Sequence, residues 1–355
     1  MTTVFVSALK SGERISEEVR TPLGGLLMEK GRTLSPRDLE ILRAFMVKSV
    51  VIEGKDDDNK EENQSDAGES PSDDYLQFYK EYDELYKLMK RGFRIVTAGT
   101  DSLPLMEIRT QLDRMLKLAH VYNPLTFSPR RSNNVEDYII HNGMMAGLTA
   151  WSIARWLGYQ QKDWIPLALA GMLHDIGNLR VDETILQKRK PLTAAEYEEV
   201  KQHTVIGYNI LKNIAGLNEG VKLSALQHHE RLDGSGYPLG LRDEKIHPYA
   251  RIVAIADIFH TMTSDRSYKK AVSPYLALEE MLQESFGKLD PAVVRMFIGK
   301  VTQFHHGTVV RLNDGSVAEI VFTDQNHPTR PMVNVNGKII NLAVERNRFI
   351  QNVIS

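Results

Sequence analysis

The sequence lacks cysteine altogether, and its charges almost cancel. Without cysteine the chain can form no disulfide, thiolate nucleophile or cysteine-held iron-sulfur cluster, so any bound metal must have nitrogen and oxygen ligands. Lysine and arginine number 44 against 46 aspartate and glutamate residues, which gives a formal net charge of −2. Because no overall positive charge attracts DNA or RNA polymers, a general nucleic-acid coat protein is not expected.

Long apolar runs are also missing. The longest uncharged run of note, Tyr138–Ala154, has 17 residues, contains a histidine and an asparagine, and is too short to span a membrane. Residues Met1–Lys10 lack the basic head and apolar stretch of a secretory signal. We therefore expect a protein that has no membrane span and resides in the cytoplasm.

The length of 355 residues exceeds what one hydrophobic core usually organises, so we expect several domains. Residues 1–53 are predicted to form a small α+β module, because β-branched stretches near both ends flank one helical pattern. Ser35 is expected to cap that helix, with Pro36 at its first position and Asp38 completing a capping box.

The next segment is strongly acidic. Glu53–Asp74 carries ten acidic residues against two lysines and too few apolar residues for a core. Residues 54–74 are therefore predicted to form a flexible linker. Residues 75–131 are predicted to be a helical connector, since aromatic residues recur at helical spacing from Tyr75 to Tyr86.

The remainder of the chain changes from helical to strand-like patterning. Residues 132–300 carry successive amphipathic patterns with few strand signals, which predicts an all-helical domain. Residues 301–355 alternate apolar and polar positions around turn signals at residues 313–315 and 336–337, which predicts a short β unit. The expected fold class is thus mainly α, with small modules containing strands at either end.

Histidines and acidic residues cluster within the predicted helical domain. Asp137 and His141 are four residues apart, so a helix places both on one face. His174 and Asp175 follow an apolar helical pattern that is predicted to carry them toward the core, with Gly177 capping the helix. Since burying an ionised aspartate costs several kcal/mol unless it is offset, a metal ion is the simplest counter-charge.

Further candidate ligands follow along the chain. His203 is expected a few turns inside a helix that begins with a capping box at Thr193. His228 and His229 are expected to end another helix, just before a turn rich in glycine, and Asp257 lies on the next helical segment. Neutral imidazole and carboxylate form a ligand set suited to iron, manganese, zinc or similar divalent ions.

The order and spacing of these motifs are distinctive. They comprise His174-Asp175-Ile176-Gly177, His203, His228-His229-Glu230, Asp233-Gly234, Gly236-Tyr237-Pro238, Ala256-Asp257 and Ser264-Asp265-Arg266. Over roughly Tyr138 to Leu278 the sequence resembles the HD-GYP subfamily of HD-domain phosphohydrolases. The resemblance implies an all-helical HD fold and hydrolysis of cyclic di-GMP to a linear dinucleotide or onward to GMP, by a hydroxide that metal ions activate.

The resemblance also implies a set of metal ligands. The matching positions are His141, His174, Asp175, His203, His228, His229 and Asp257. His174 and Asp175 are the pair implied for catalysis, with Asp175 as the bridge between two ions, most naturally iron or manganese. Asp137 stands where some family members have a glutamate for a third ion, and whether it supports one is left open.

Substrate contacts are implied by position as well. Arg266 and Lys269 match residues that contact phosphate, and the planar fork of a guanidinium suits that group. Tyr237, with Gly236 and Pro238, belongs to the loop that gives the subfamily its name. By analogy alone, the terminal modules are expected to regulate the protein or to form a homodimer.

Two residues depart from the family pattern. Asn178 replaces the usual lysine after the His-Asp motif, which removes a positive charge that would hold phosphate, and it is the remaining candidate substrate contact. His260 stands where the family usually has an aspartate, three residues after Asp257. It could be a hydrogen-bond partner of a ligand, an extra ligand or a packing residue, and these three roles stay open. Two alternatives therefore stay open: a catalytically weak cyclic-dinucleotide receptor, and a phosphodiesterase for another cyclic dinucleotide.

Overall fold

The chain is described here from a computed structural model, and it divides into two compact units. The described residues are 2–6, 9–20, 26–44, 47, 49–52, 73–127, 134–188, 190–264, 271–303 and 307–354. The first unit comprises Met1–Leu76 and Ile354–Ser355, and the second comprises Gln77–Val353. The acidic linker as far as residue 72, together with Arg266 and Lys269, lies outside the described residues.

The first unit is a small α+β module. Its elements are β1 (Thr2–Phe5), β2 (Val19–Arg20), β3 (Leu26–Met28), α1 (Pro36–Ala44) and β4 (Ser49–Ile52). Strand β1 pairs antiparallel with β4, and β2 pairs antiparallel with β3. The predicted capping box is confirmed, because the backbone N–H of Asp38 donates to Ser35 Oγ and the backbone N–H of Ser35 donates to Asp38 Oδ2.

Helices α2 to α12 follow in chain order. They are α2 (Asp73–Thr97), α3 (Leu105–Lys117), α4 (Val135–Trp156), α5 (Gln161–Leu173), α6 (Glu183–Leu186), α7 (Ala194–Lys201), α8 (His203–Lys212), α9 (Glu219–Gln227), α10 (Pro248–Thr263), α11 (Pro274–Glu284) and α12 (Pro291–Val301). Short 3-10 helices cover Ala119–Val121, Ile176–Arg180 and Asp243–Lys245. None of the described helices is both long enough and apolar enough to cross a membrane.

The central helices are held by an apolar core and by capped termini. Helix α4 packs against α5 and α10, and α9 packs against α5, α8 and α10. Side chains of Asn134, Asn218 and Asp290 accept hydrogen bonds from the first backbone N–H groups of α4, α9 and α12. These contacts bring the end of α5, the start of α8, the end of α9 and the middle of α10 together around one interior point.

A five-stranded antiparallel sheet forms the C-terminal part of the second unit. Its strands are β5 (Val309–Leu312), β6 (Val317–Phe322), β7 (Met332–Val335), β8 (Lys338–Asn341) and β9 (Ile350–Val353), in the order β8-β7-β6-β5-β9. Asn336 and Gly337 have φ values of 51° and 87°, as the turn predicted between β7 and β8 requires. The buried side of the sheet packs with Tyr275 of α11. The predicted fold class is confirmed.

Candidate metal centre

Helix α5 delivers the first candidate pair to the interior. Residues Leu167–Leu173 of this helix are buried, so the segment just before the pair lies within the core. His174 caps the helix and is fully buried, whereas Asp175 is half-buried at the edge of the centre. The prediction that an apolar helix carries this polar pair inward is confirmed.

Gly177 does not cap α5, and that prediction was wrong. The helix already ends at Leu173, and Gly177 lies inside the following 3-10 helix. The reason for glycine here is a close approach of two backbones: a Cβ on Gly177 would lie 1.9 Å from the carbonyl oxygen of His203. Gly177 therefore lets the chain after Asp175 lie directly against α8.

His203 is the first residue of α8 and not part of a longer helix. The predicted capping box of Thr193 and Glu196 is confirmed at the start of α7, but α7 ends at Lys201. The hydroxyl of Thr204 donates to the carbonyl of Lys201, a bond that competes with regular helical hydrogen bonding. The buried His203 thus lies at the junction between α7 and α8.

The other ligands come from α9 and α10. Helix α9 ends at Gln227 with His228 as its cap, so the prediction that the histidine pair ends a helix is confirmed. Asp257 is buried within α10. Its Oδ1 accepts hydrogen bonds from Asn142 Nδ2 at 3.1 Å and from Thr261 Oγ1 at 3.0 Å, which fixes the carboxylate.

These side chains form two groups that share one residue. In each group the candidate ligand atoms lie within 4.8 Å of one another. One group consists of Asp175, His203, His228 and His229, and the other consists of His174, Asp175 and Asp257. Asp175 Oδ1 lies 3.3 Å from His203 Nε2 and 3.6 Å from His228 Nε2, whereas its Oδ2 lies 3.3 Å from His174 Nε2. The two oxygens of Asp175 thus face different groups.

The hydrogen bonds of the imidazoles show which nitrogen faces each group. Nδ1 of His174, His203 and His228 lies 2.7, 2.6 and 3.0 Å from the backbone carbonyl oxygens of Gly171, Val200 and Ser224, respectively. A carbonyl oxygen only accepts, so each Nδ1 carries the proton and each Nε2 presents a lone pair. This arrangement is typical of histidines that bind metal through Nε2.

The Nε2 lone pairs that point into the centre would be stabilised by a positive charge between them. His203 Nε2 and His228 Nε2 are 3.3 Å apart, and two lone pairs at that distance repel unless a cation or a proton lies between them. His174 Nε2 is buried, makes no hydrogen bond within the described part of the chain, and lies 3.3 Å from Asp257 Oδ1. The donor set of imidazole nitrogens and carboxylate oxygens therefore fits divalent metal ions.

The protonation states also suit metal binding. Burial is the largest cause that lowers the pKa of His203 and His229, and the neighbouring His228 lowers both further, against the opposing charge of Asp175. Both rings are therefore neutral near pH 7, which is the form that binds a metal.

The two acids and His174 behave as an ion cluster. Burial alone would raise the pKa of Asp175 and of Asp257, but the charge and hydrogen bonding of His174 outweigh it and lower both. Burial likewise opposes the charge on His174, yet Asp175 and Asp257 outweigh it and raise the pKa of His174. The two carboxylates thus favour a positive charge at His174 Nε2, which either a second proton on the ring or a metal ion bound to Nε2 would supply.

His141 and Asp137 lie on α4 but belong to neither group. His141 Nδ1 is 3.0 Å from the hydroxyl of Tyr82, and its ring stacks on Tyr86. Asp137 is paired with Lys90 at 2.7 Å. The expectation that these two residues bind metal therefore stays a prediction.

A loop after His229 borders the first group. The ring of Tyr237 stacks on His229 with centroids 4.6 Å apart, and a Cβ on Gly236 would lie 2.4 Å from the Cα of Glu230. Pro238 follows Tyr237 through a cis peptide bond. The loop therefore passes directly over a candidate ligand.

Two residues of this region, Glu230 and Lys201, were assigned no role in the sequence analysis. The buried carboxylate of Glu230 accepts the backbone N–H groups of Leu239 and Leu241 at 2.7 and 2.9 Å, so it anchors the loop. Its position directly after the two histidines could have indicated a role for Glu230 at this site. Lys201 Nζ lies 5.5 Å from the ring centroid of Tyr237 and adds a cation at the edge of the centre, for which the sequence offered no signal.

The two departures from the family pattern have different surroundings. Asn178 is half-buried in the 3-10 helix, and its backbone N–H donates to the carbonyl of Asp175. His260 is buried with Nε2 2.7 Å from Thr149 Oγ1, and burial lowers its pKa to about 3. His260 belongs to neither ligand group. Of the three roles considered for it, the structure fits a neutral, hydrogen-bonded residue that packs in the core.

Comparisons with known proteins identify relatives of this chain. The chain is 27% identical over 325 residues to the cyclic di-GMP phosphodiesterase PdeB of Borreliella burgdorferi, which covers 89% of this chain and 84% of the relative. A cyclic di-GMP phosphodiesterase of Pseudomonas aeruginosa is 37% identical, over 47% of this chain and 40% of the relative. A 3'3'-cGAMP-specific phosphodiesterase of Vibrio cholerae is 35% identical, over 43% of this chain and 36% of the relative.

The chain thus spans most of the first relative and less than half of the other two. The HD domain family matches residues 115–293, which make up half of the sequence. That segment contains every residue of the two ligand groups. The chain therefore belongs to the HD domain family.

Proposed function

We propose that this protein is a metal-dependent phosphodiesterase that hydrolyses cyclic di-GMP to a linear dinucleotide or onward to GMP. The observation that carries the proposal is the pair of ligand groups that share Asp175. Two adjacent cation sites joined by one carboxylate suit in-line attack on a phosphodiester, because charge develops on both the entering and the leaving oxygen. Relatives with this activity and the family match support it further.

The proposed cofactors are two divalent ions, iron or manganese. One would be held by His203, His228, His229 and an oxygen of Asp175, and the other by His174, Asp257 and the second oxygen of Asp175. When bound, such ions lower the pKa of a water molecule and offset negative charge on the phosphoryl oxygens. We do not assign a third ion to Asp137, because Lys90 already neutralises its carboxylate.

The remaining side chains would hold the substrate. Tyr237, whose ring stacks on His229, would contact a guanine base at the edge of the first ligand group. Gly236 and Pro238 shape that loop, and Asn178 would offer a neutral contact to phosphate. Arg266 and Lys269, by their position in the sequence, would neutralise the phosphate that is not being cleaved.

The direct test is a product assay on protein loaded with Mn²⁺ or Fe²⁺. Incubation with cyclic di-GMP is expected to yield the linear dinucleotide and GMP by chromatography, and a chelator should abolish the reaction because the ligand groups lose their cations. Parallel incubation with 3'3'-cGAMP measures which substrate is preferred. Folded, metal-loaded protein that forms no product from either nucleotide would refute the proposal.

The alternative is a receptor that binds a cyclic dinucleotide and cleaves it poorly, and Asn178 is the observation that favours it. Asn178→Lys adds a cation beside Asp175, so hydrolysis of cyclic di-GMP by this variant is expected to rise in kcat/KM by about tenfold, or ~1.4 kcal/mol. Asn347→Lys adds the same charge at an exposed position of the C-terminal part and is the matched control. Tight binding without turnover in the wild type, with cleavage appearing only in Asn178→Lys, would favour the receptor.

A further inference from the structure

Helix α2 encloses His141 with two aromatic rings. Tyr82 and Tyr86 are four residues apart and therefore lie on one face of the helix. The hydroxyl of Tyr82 lies 3.0 Å from His141 Nδ1, and the ring of Tyr86 stacks on the imidazole with centroids 4.6 Å apart and planes inclined by 12°. One contact fixes the direction of the ring nitrogens, and the other fixes the plane of the ring.

Ion pairing holds the stacking tyrosine in place. The hydroxyl of Tyr86 donates to Asp137 Oδ1, which also accepts from Lys90 Nζ at 2.7 Å. Asp137 Oδ2 accepts from Asn134 Nδ2 at 2.9 Å. Oδ1 of Asp137 thus links α2 to α4, and Oδ2 ties the carboxylate to the N-cap residue of α4, one helical turn before His141.

The second ligand group is one residue smaller than the first. His174, Asp175 and Asp257 provide three ligand atoms, whereas the first group provides four. Asn142, which adjoins His141 on α4, donates to Asp257 Oδ1 at 3.1 Å, so this turn of α4 lies against the smaller group. His141 is a metal-ligating residue type on this turn of α4, which makes it a candidate to complete the group.

We propose that Tyr82 and Tyr86 are positioning residues that prepare His141 as the fourth ligand of the second group. The inference rests on the metal centre of the proposed function. Binding through Nε2 requires the proton on Nδ1, and the hydroxyl oxygen of Tyr82 accepts that proton's hydrogen bond. Backbone carbonyls do the same for His174, His203 and His228. Since α2 precedes residues 115–293, these two tyrosines lie outside the segment that matches the HD domain family.

The test is a metal titration of the full-length protein after its ions have been removed with a chelator. Mn²⁺ is added in competition with a fluorescent chelator, which yields a dissociation constant for each ion. Tyr82→Phe keeps the ring and removes only the hydroxyl. It is expected to weaken one ion by roughly 10- to 100-fold and to leave the other unchanged. His141→Ala identifies which ion is affected.

Tyr249→Phe is the matched control, because it removes a hydroxyl that donates to Asp163 at 2.7 Å, away from both ligand groups. Its two dissociation constants should equal those of the wild type. Tyr86→Leu is the second variant and should weaken the same ion as Tyr82→Phe, since it removes the stacked ring.

Several outcomes would overturn the inference. One is that Tyr82→Phe binds both ions with the dissociation constants of the wild type. Another is that it weakens both ions equally, because that result would indicate a general loss of structure around the centre. A wild type that binds fewer than two ions would refute it as well. The proposed function alone would be refuted if the wild type bound two ions and Tyr82→Phe weakened only one of them, but the wild type did not cleave cyclic dinucleotides.

Discussion

Asp175→Asn is expected to remove both bound ions and to lower hydrolysis of cyclic di-GMP on the order of a thousandfold or more, since a metal ion supplies several kcal/mol of charge stabilisation. Asparagine has nearly the volume of aspartate, so packing around α5 is retained. Its neutral amide cannot supply a negative oxygen to each group, and its NH₂ would face an imidazole nitrogen that now lies 3.3 Å from a carboxylate oxygen. Elemental analysis and the product assay measure the two effects separately.

Asp163→Asn is the control for this prediction. Asp163 lies in the first turn of the same helix, and its carboxylate accepts the hydroxyl of Tyr249 outside both ligand groups. The control should keep its ions and its activity. Far-ultraviolet circular dichroism should show the same helical content in both variants. If Asp175→Asn retained two ions per chain, Asp175 would not be the shared ligand, and the proposed centre would be wrong.

Local patterns in the sequence were sufficient for most of the fold. The capping box at Ser35 and the one at Thr193 both mark observed helix starts, because each depends on hydrogen bonds within four residues. The turn at Asn336 and Gly337 was likewise predictable, since positive φ values favour those two residue types. Such signals are local, and tertiary contacts in this chain did not override them.

Contacts between distant segments were harder to predict. The break before His203 falls within an otherwise continuous helical pattern, so the pattern did not predict it. Gly177 resembled a helix cap in the sequence because nothing in the sequence places it against the backbone of α8. For the same reason the link between Tyr82 and His141, 59 residues apart, left no signal in either segment alone.

Gly177→Ala is expected to lower the free energy of unfolding by about 3 kcal/mol or more, because overpacking usually costs 1–3 kcal/mol and here the new atom meets backbone. The added Cβ would lie 1.9 Å from the carbonyl oxygen of His203 and 2.6 Å from the backbone nitrogen of Gly207. Helix α8 must therefore move away from the 3-10 helix and carry His203 with it. Thermal unfolding of the metal-free protein measures the stability, and Mn²⁺ titration should show weaker binding at the group that contains His203.

Gly299→Ala provides a control whose expected sign is opposite. Gly299 lies within α12, and a Cβ there would meet no atom within 4 Å. Alanine at such a helical position stabilises by about 0.5–1 kcal/mol, because glycine loses more backbone entropy on folding. If Gly177→Ala also stabilised the protein and kept both dissociation constants, the close approach of the 3-10 helix and α8 would be wrong. The position of His203 in the first ligand group depends on that approach, so it would have to be revised as well.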